Sequence, residues 1–319
     1  MKKTPNKTLL ITGGTGFFGK SLFSYFNYEN PSLEKIIVVS RQPEKLDDIV
    51  KIKSFPFDIE YIKQDIREPI KFNKSVDYLI HAAAESSTSL NIEDPMLLGD
   101  ADVEGTKNVL EYARKKKVKR VLFISSGAVY GKQPSELSHV YEEYEGAPEQ
   151  LNPLNAYGYA KRQAENLCAL YHHHYDVNYV VARCFTFVGP YLPLDDHFAM
   201  GNFIRDGLNG GPIIVKGDGT TIRSYLYADD LAEWLWTILL KGNTGEAYNV
   251  GSDEAITISD LAHLVSNCFD GKPEVIIKGK PNPKKDRYVP DVEKVKRDLG
   301  VSERVSLFEG IQKTIAFHL

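Results

Sequence analysis

Tyr157 and Lys161 stand four residues apart in NAYGYAKRQAE (155–165). On a helix that spacing puts both side chains on one face. An ammonium beside a phenol stabilises the phenolate and lowers its pKa. The phenol can then exchange a proton with an alcohol or a ketone near neutral pH. Alone, the pair is common, and an exposed tyrosine and lysine on an amphipathic helix meet the same pattern. SSGAVYG (125–131) adds a hydroxyl: Ser126 follows the apolar run Val121-Leu122-Phe123-Ile124. Ligands bind beyond the carboxyl ends of buried parallel strands. A hydroxyl there is placed to hold the oxygen whose proton Tyr157 moves.

A glycine cluster supplies a second chemical signal. TGGTGFFGKSL (12–22) directly follows the strand-like run Thr8–Thr12, with Gly13, Gly16 and Gly19 in the spacing GxxGxxG. The first glycine permits a tight strand-to-helix turn, the second lets backbone approach a pyrophosphate, and the third lets the helix press on the sheet. The helix N-terminus offers N–H groups and a positive dipole end to phosphates. Thr15, Phe17 and Phe18 lie in this turn and belong to the expected dinucleotide site. The second strand ends in Ser40-Arg41, where a carboxylate would bind the adenosine ribose and repel a 2′-phosphate. Arg41 can pair with a phosphate instead, which favours NADP(H), with NAD(H) still possible. Asp65 and Ile66 are expected beside the adenine, with a helix cap as the plainer role for Asp65. In HAAAESS (81–87), Ala82, Ala83 and Ala84 are small enough for backbone to lie against the dinucleotide.

These residues need a scaffold, and the chain supplies its pattern. Apolar runs at 8–12, 35–40, 57–62, 76–81, 120–125 and 177–183 alternate with helix-like stretches at 19–27, 99–117 and 157–175. Buried strands alternating with helices imply a parallel sheet with right-handed crossovers. The expected fold is α/β, a Rossmann-type doubly wound parallel sheet with a smaller C-terminal α+β substrate domain. The boundaries are 1–182 for the dinucleotide domain, with about 223–252 returning to it, and 183–319 for the other. Strand-like pieces at 212–216 and 275–278, and an amphipathic helix at 229–241, populate the second half.

The chain has 319 residues, 42% apolar and 26% charged, with a formal charge of −4. That length supports a large core, and the charge does not suggest a nucleic-acid surface. Three cysteines without close spacing argue against a disulfide framework or zinc site and fit a reducing cytoplasm. The N-terminus is too polar for a signal peptide, and no apolar run reaches membrane-spanning length. Lesser features read as structural. His172-His173-His174 point in different directions on a helix and mark its end rather than a metal site. Lys115-Lys116-Lys117 complement a helix dipole. Trp234 and Trp236 pack in the core or at a domain interface, and His81 and Cys184 are buried.

Ser126, Tyr157 and Lys161 join the glycine turn with VEGTKNVLEYA (103–113), VGP (188–190), IRSYLYADDLA (222–232) and YNVGS (248–252). Over nearly the whole chain this set resembles the extended short-chain dehydrogenase/reductase family, in its nucleotide-sugar epimerase/dehydratase branch. The resemblance implies an NAD(P) site in the N-terminal domain and a nucleotide-diphosphate sugar in the C-terminal one. It implies a homodimer through the helices near 99–117 and 157–175. Ser126 and Tyr157 would contact the sugar hydroxyl, Lys161 the nicotinamide ribose, and Arg223 the diphosphate, as guanidinium geometry suits. An ion pair with Asp229 or Asp230 is the plainer role for Arg223. Arg287, in KKDRYVPD, matches a looser position near the diphosphate or nucleoside ribose. Ser86, Thr186 and Asn202 complete the expected substrate contacts.

Three positions depart from the family pattern. Dehydratases carry an acidic pair after the catalytic hydroxyl, and decarboxylases usually an acidic residue; this chain has Gly127-Ala128. The family's asparagine after the sixth strand is Thr186, and that of the NxxGT motif is Asp102. The expected activity is therefore hydride transfer at a sugar carbon, C4, by a 4-epimerase or a 4-keto reductase. A 4,6-dehydratase or decarboxylase is the alternative, and a non-catalytic sensor of NADP(H) or a sugar nucleotide the alternative of another class.

Overall fold

The structure, a computed structural model, describes residues 7–29, 32–50, 55–84, 95–196, 198–280 and 286–319. β1 (Lys7–Thr12) sends Leu9 and Ile11 into one core and Leu10 into another. A strand buried on both faces reads as a continuous apolar run and needs a layer on each side. Those layers follow in α1 (Phe17–Glu29), β2 (Leu33–Ser40), the one-turn α2 (Asp47–Val50), β3 (Asp58–Lys63), β4 (Tyr78–His81), α3 (Pro95–Lys116), β5 (Arg120–Ser126), α4 (Ala156–Tyr175) and β6 (Tyr179–Cys184). Then come β7 (Phe187–Val188), α5 (Ala199–Leu208), β8 (Ile213–Val215), β9 (Ile222–Arg223), β10 (Leu226–Tyr227) and α6 (Ala228–Lys241). The chain continues through β11 (Ala247–Val250), β12 (Ile256–Thr257), α7 (Ile258–Ser266), β13 (Val275–Ile277), β14 (Arg287–Tyr288), α8 (Glu293–Leu299) and α9 (Leu307–His318).

Seven strands form one sheet in the order β11-β6-β5-β4-β1-β2-β3, with every neighbouring pair parallel. Helices α1 and α6 cover one face through Phe23, Phe26, Leu231 and Trp234. Helices α3 and α4 cover the other through Val109, Leu110, Ala164 and Cys168. This is the expected doubly wound Rossmann-type sheet. The order reverses between β1 and β4, and the crevice at such a switch point is where ligands bind. The later strands make small sheets: β8 with β13, β7 with β10, and β12-β9-β14. Phe203, Ile204, Ile213, Leu261 and Ile311 share a separate core there.

Two elements differ from the sequence expectation. The third strand is not a buried apolar run: β3 closes the sheet edge, with Asp58, Tyr61 and Lys63 exposed, while its apolar neighbour Phe57 is buried just outside it. The helix expected at 229–241 is buried around most of its circumference rather than on one stripe. Both tryptophans are core residues: Trp236 packs edge-on against Phe26 at 5.0 Å, and Trp234 is fully buried.

His81, the last residue of β4, ties the sheet to α3. Thr106 donates its hydroxyl proton to the Asp102 carbonyl, so its oxygen accepts from His81 Nε2 at 3.0 Å. His81 Nδ1 then accepts from the Thr12 hydroxyl at 2.7 Å. Burial, and secondarily the Lys161 charge, push the His81 pKa down to about 3. An unfolded histidine binds a proton near pH 6.5. Between those values the unfolded chain carries a proton that the native one lacks, so stability falls as pH drops, by about 1.4 kcal/mol per pH unit. Denaturant unfolding between neutral and acid pH should show a shallower acid loss in a His81→Asn variant than in the wild type. Equal slopes would remove His81 as the cause.

Candidate active site

The turn after β1 is a backbone cradle. Gly13 has φ +70°, and a Cβ on it would lie 2.6 Å from the Ala83 Cα and nitrogen. Only glycine lets β1 turn so tightly against the end of β4. Gly16 donates to the Gly13 carbonyl at 3.1 Å and opens α1. Gly19 is a correction to the expected cofactor contacts. It does not line the cavity, because it packs on the Gly14 backbone, where a Cβ would overlap the carbonyl. Its role is close packing of the turn.

A cavity of 1340 Å³ starts at this cradle and runs to the C-terminal elements. Single-ligand sites are typically about 300–1,000 Å³, so this one has room for two ligands end to end. Gly13, Thr15, Gly16, Phe17 and Phe18 line it near α1. Ala82, Ala83 and Ala84 line it beyond β4, and Ser40, Arg41, Asp65 and Ile66 line its far end. The Ser40 hydroxyl lies 2.9 Å from that of Thr15. Asp65 is neither a helix cap nor an uncommitted acceptor. Arg67 grips its carboxylate through Nε at 3.0 Å and a terminal nitrogen at 2.7 Å. Those hydrogen bonds hold the Asp65 pKa down to about 2. Ile66 is fixed from α3: Asn108 donates to its carbonyl at 3.0 Å, and Gly105 leaves room for its side chain.

Ser125 and Ser126 separate at the end of β5, as successive strand residues must. Both line the cavity; Ser125 donates to Glu165 at 2.5 Å, and Ser126 accepts from the Ala128 N–H at 3.1 Å. Helix α4 brings Tyr157 and Lys161 to the same wall. The Lys161 ammonium sits 5.8 Å from the centre of the Tyr157 ring, and Ser126 lines the same cavity as both. The three residues singled out in the sequence therefore converge. Lys161 is nearly fully buried, donates to the Ile124 carbonyl at 3.1 Å, and pairs with Asp102 Oδ1 at 3.0 Å. Burial alone would lower its pKa, but Asp102 and Tyr157 turn the balance upward.

The rest of SSGAVYG is structural. Tyr130 donates to Asn249 Oδ1 at 2.8 Å and accepts from Arg183, which also grips Glu165. Gly131, at φ +70°, passes so close to the Ala147 carbonyl that a Cβ has no space.

Tyr288 is the wall residue that sequence reasoning missed. Its hydroxyl lies 3.5 Å from Ser126 Oγ and its ring 4.5 Å from that of Phe185. A Cβ on Gly127 would sit 2.6 Å from the Tyr288 oxygen and 2.7 Å from Phe185 Cζ. The glycine after Ser126 was the available signal, since it marks where another chain segment comes close. Among the described residues, the space that a side chain after the hydroxyl would need is aromatic.

Toward the C-terminal elements the cavity is lined by Thr186, Asn202, Arg223 and Arg287. Thr186 donates to the Ser224 carbonyl. Arg205 donates to Asn202 Oδ1 at 2.9 Å. Arg223 does form an ion pair, but with Asp286 at 2.7 Å, not with Asp229 or Asp230. Asp230 instead accepts from the Arg304 and Val305 N–H groups. Arg287 donates to the Ser138 carbonyl at 3.2 Å. Ser86 lies outside the described residues. His172 to His174 form the last turn of α4, where His172 meets the Val177 carbonyl. Cys184 is buried and its thiol pKa is pushed up by burial. Among the described residues no group of three His, Cys, Asp or Glu side chains is arranged to hold a metal, and no helix is long and apolar enough to cross a membrane.

Comparisons with known proteins give the family and the fold. A sequence model described as the NAD dependent epimerase/dehydratase family matches residues 9–251. UDP-glucuronic acid decarboxylase 6 of Arabidopsis thaliana is 32% identical over 309 residues, covering 96% of this chain and 87% of the relative. The dTDP-glucose 4,6-dehydratase DesIV from Streptomyces venezuelae, solved with NAD bound, superposes with a TM-score of 0.82 at 25% identity, covering 98% of this chain and 96% of that one. The UDP-glucose 4-epimerase of Thermotoga maritima shares the fold with a TM-score of 0.82 at 24% identity, covering 98% of both chains.

The aromatic wall gives a stability test. Gly127→Ala should cost about 1–3 kcal/mol through overpacking. The loss should appear as a lower Tm, partly restored when Tyr288→Phe removes the clashing oxygen. A Gly127→Ala protein as stable as the wild type would contradict the packing.

Proposed function

The chain belongs to the NAD-dependent epimerase/dehydratase family, and from that premise we propose that it moves a hydride at C4 of a nucleotide-diphosphate sugar, as a 4-epimerase or 4-keto reductase. One observation carries the reading: Ser126, Tyr157 and Lys161 meet on one wall of a cavity that also reaches the glycine cradle and Arg223. A binding protein has no use for a proton-transfer set. The cradle fits a dinucleotide, because backbone without Cβ atoms and a helix N-terminus suit a pyrophosphate. When bound, the nicotinamide supplies the hydride acceptor and donor.

The protein's part is positioning and proton movement. Ser126 holds the sugar oxygen, and Tyr157 takes or returns its proton. Lys161 donates to the nicotinamide ribose and sets the charge around Tyr157. Gly13, Gly16 and the first turn of α1 receive the pyrophosphate. Thr15, Phe17, Phe18, Ile66 and Ala82 to Ala84 enclose the dinucleotide. Arg41, beside Ser40, favours NADP(H) by pairing with a 2′-phosphate. Arg223, braced by Asp286, grips the sugar diphosphate, with Thr186, Asn202 and Arg287 nearby. Cytoplasmic location and a homodimer through α3 and α4 belong to the same proposal, the first on the cysteine usage and the second on the resemblance.

Decarboxylation is the second reading, favoured by the identity to the Arabidopsis enzyme. Oxidation at C4 of a uronic acid makes a β-keto acid that can lose CO2 with the same three residues. Against it, and against dehydration, Gly127-Ala128 supplies no carboxylate, and elimination needs an acid and a base.

Substrate assays test these readings. Stoichiometric NADPH loss with a 4-keto sugar marks a reductase. Interconversion of two sugars without added cofactor marks an epimerase, and CO2 from UDP-glucuronate marks a decarboxylase. Tyr157→Phe should cut turnover by about 10²–10⁴-fold while leaving cofactor affinity intact. Arg41→Ala should weaken NADPH binding more than NADH binding. Undiminished turnover in the Tyr157→Phe variant would end the catalytic assignment.

A further inference from the structure

Asp102 comes from α3 and Lys161 from α4, and they meet under the end of β5. Both are almost completely buried. An ammonium has three protons. The Ile124 carbonyl accepts one of them at 3.1 Å, Asp102 pairs with the charge at 3.0 Å, and Lys161 also lines the cavity. A lone ammonium would stabilise the Tyr157 phenolate strongly. An ammonium already paired with a carboxylate is a nearly neutral unit, and its field on the phenol is much weaker.

We propose that Asp102 is a positioning residue that keeps the Tyr157 phenol protonated at neutral pH, setting this site to donate a proton to a ketone rather than to take one from an alcohol. The proposal deepens the reading above and rests on it: it selects reduction of a keto sugar as the direction for which the resting site is prepared.

Every described element packed on Tyr157 agrees. Lys161 faces it from its own helix, Asp102 from α3, Ser126 from β5, Cys184 from β6 and Tyr288 from β14. Burial pushes the Cys184 thiol and the Tyr288 phenol up, so both are neutral at pH 7. Arg223 lies beyond the Tyr288 ring, 5.8 Å from its centre, and is paired with Asp286. His81, within reach of the Lys161 charge, is neutral. Among the described residues, Lys161 and Asp102 are the opposing charges that act most strongly on the phenol. Burial raises the Tyr157 pKa, Lys161 lowers it, Asp102 raises it, and the net direction is upward.

Two measurements test this. The first is an ultraviolet difference titration of wild type against Tyr157→Phe, without sugar or cofactor. Tyr157 should ionise above the ordinary phenol range; ionisation near neutrality overturns the proposal. The second compares Asp102→Asn with Asp102→Glu. Asp102→Asn should move the Tyr157 titration to lower pH. It should also raise the ratio of alcohol-oxidation rate in mild acid to that in mild base on the order of tenfold. Asp102→Glu should restore the wild-type profile, which a merely structural role would not do. A Tyr157 titration unmoved in Asp102→Asn overturns the proposal, and if that variant fails to fold the first titration decides alone. Neither titration contains a sugar, so a wrong substrate assignment appears separately, as absent turnover beside intact titrations.

Discussion

A buried ammonium must be paired, and the catalytic end of this molecule is organised around that requirement. Lys161 lies in the interior, where an isolated charge is prohibitively costly. The fold meets the cost with Asp102 from α3 and the Ile124 carbonyl from β5. Three elements are thereby locked to one another at the point where Ser126 emerges. Breaking such a pair from one side leaves an uncompensated charge. The same contact that fixes the geometry thus also fixes the electrostatics of the phenol beside it.

Hydrogen bonds run outward from the pair on both sides. Thr106 ties the Asp102 backbone to His81, and His81 ties that to Thr12 at the head of the glycine turn. On the other side, Ser125 reaches Glu165, Glu165 holds Arg183, and Arg183 holds Tyr130. These bonds connect the glycine turn to the strand that carries Ser126. Such networks are rigid when every member is satisfied, and rigidity is what proton transfer over hydrogen-bond distances requires.

The wall beside Ser126 is set by close packing. Gly127 has no side chain because Tyr288 and Phe185 fill its space. That wall is aromatic and neutral. Tyr288 stands between Ser126 and Arg223, near enough to each to link the reacting end of the cavity with the arginine arm.

The sequence by itself determined the sheet, the glycine cradle and the Ser126, Tyr157 and Lys161 set. These are local signals: apolar runs, a glycine spacing, and two residues one helical turn apart. Most boundaries shifted by a residue or two, the helix expected from residue 99 begins at Pro95, and β3 read as buried because an edge strand with apolar residues resembles a central one over so short a run. Asp102 was visible as an unusual residue, but its partner was not, since nothing in α3 names a lysine in α4. Tyr288 and the Arg223–Asp286 pair were hidden for the same reason. Residues 127 and 288, or 223 and 286, become neighbours only when the C-terminal strands close over the carboxyl edge of the sheet. Tertiary structure alone decided these contacts, because charge compensation and close packing depend on distances between segments that no local pattern records.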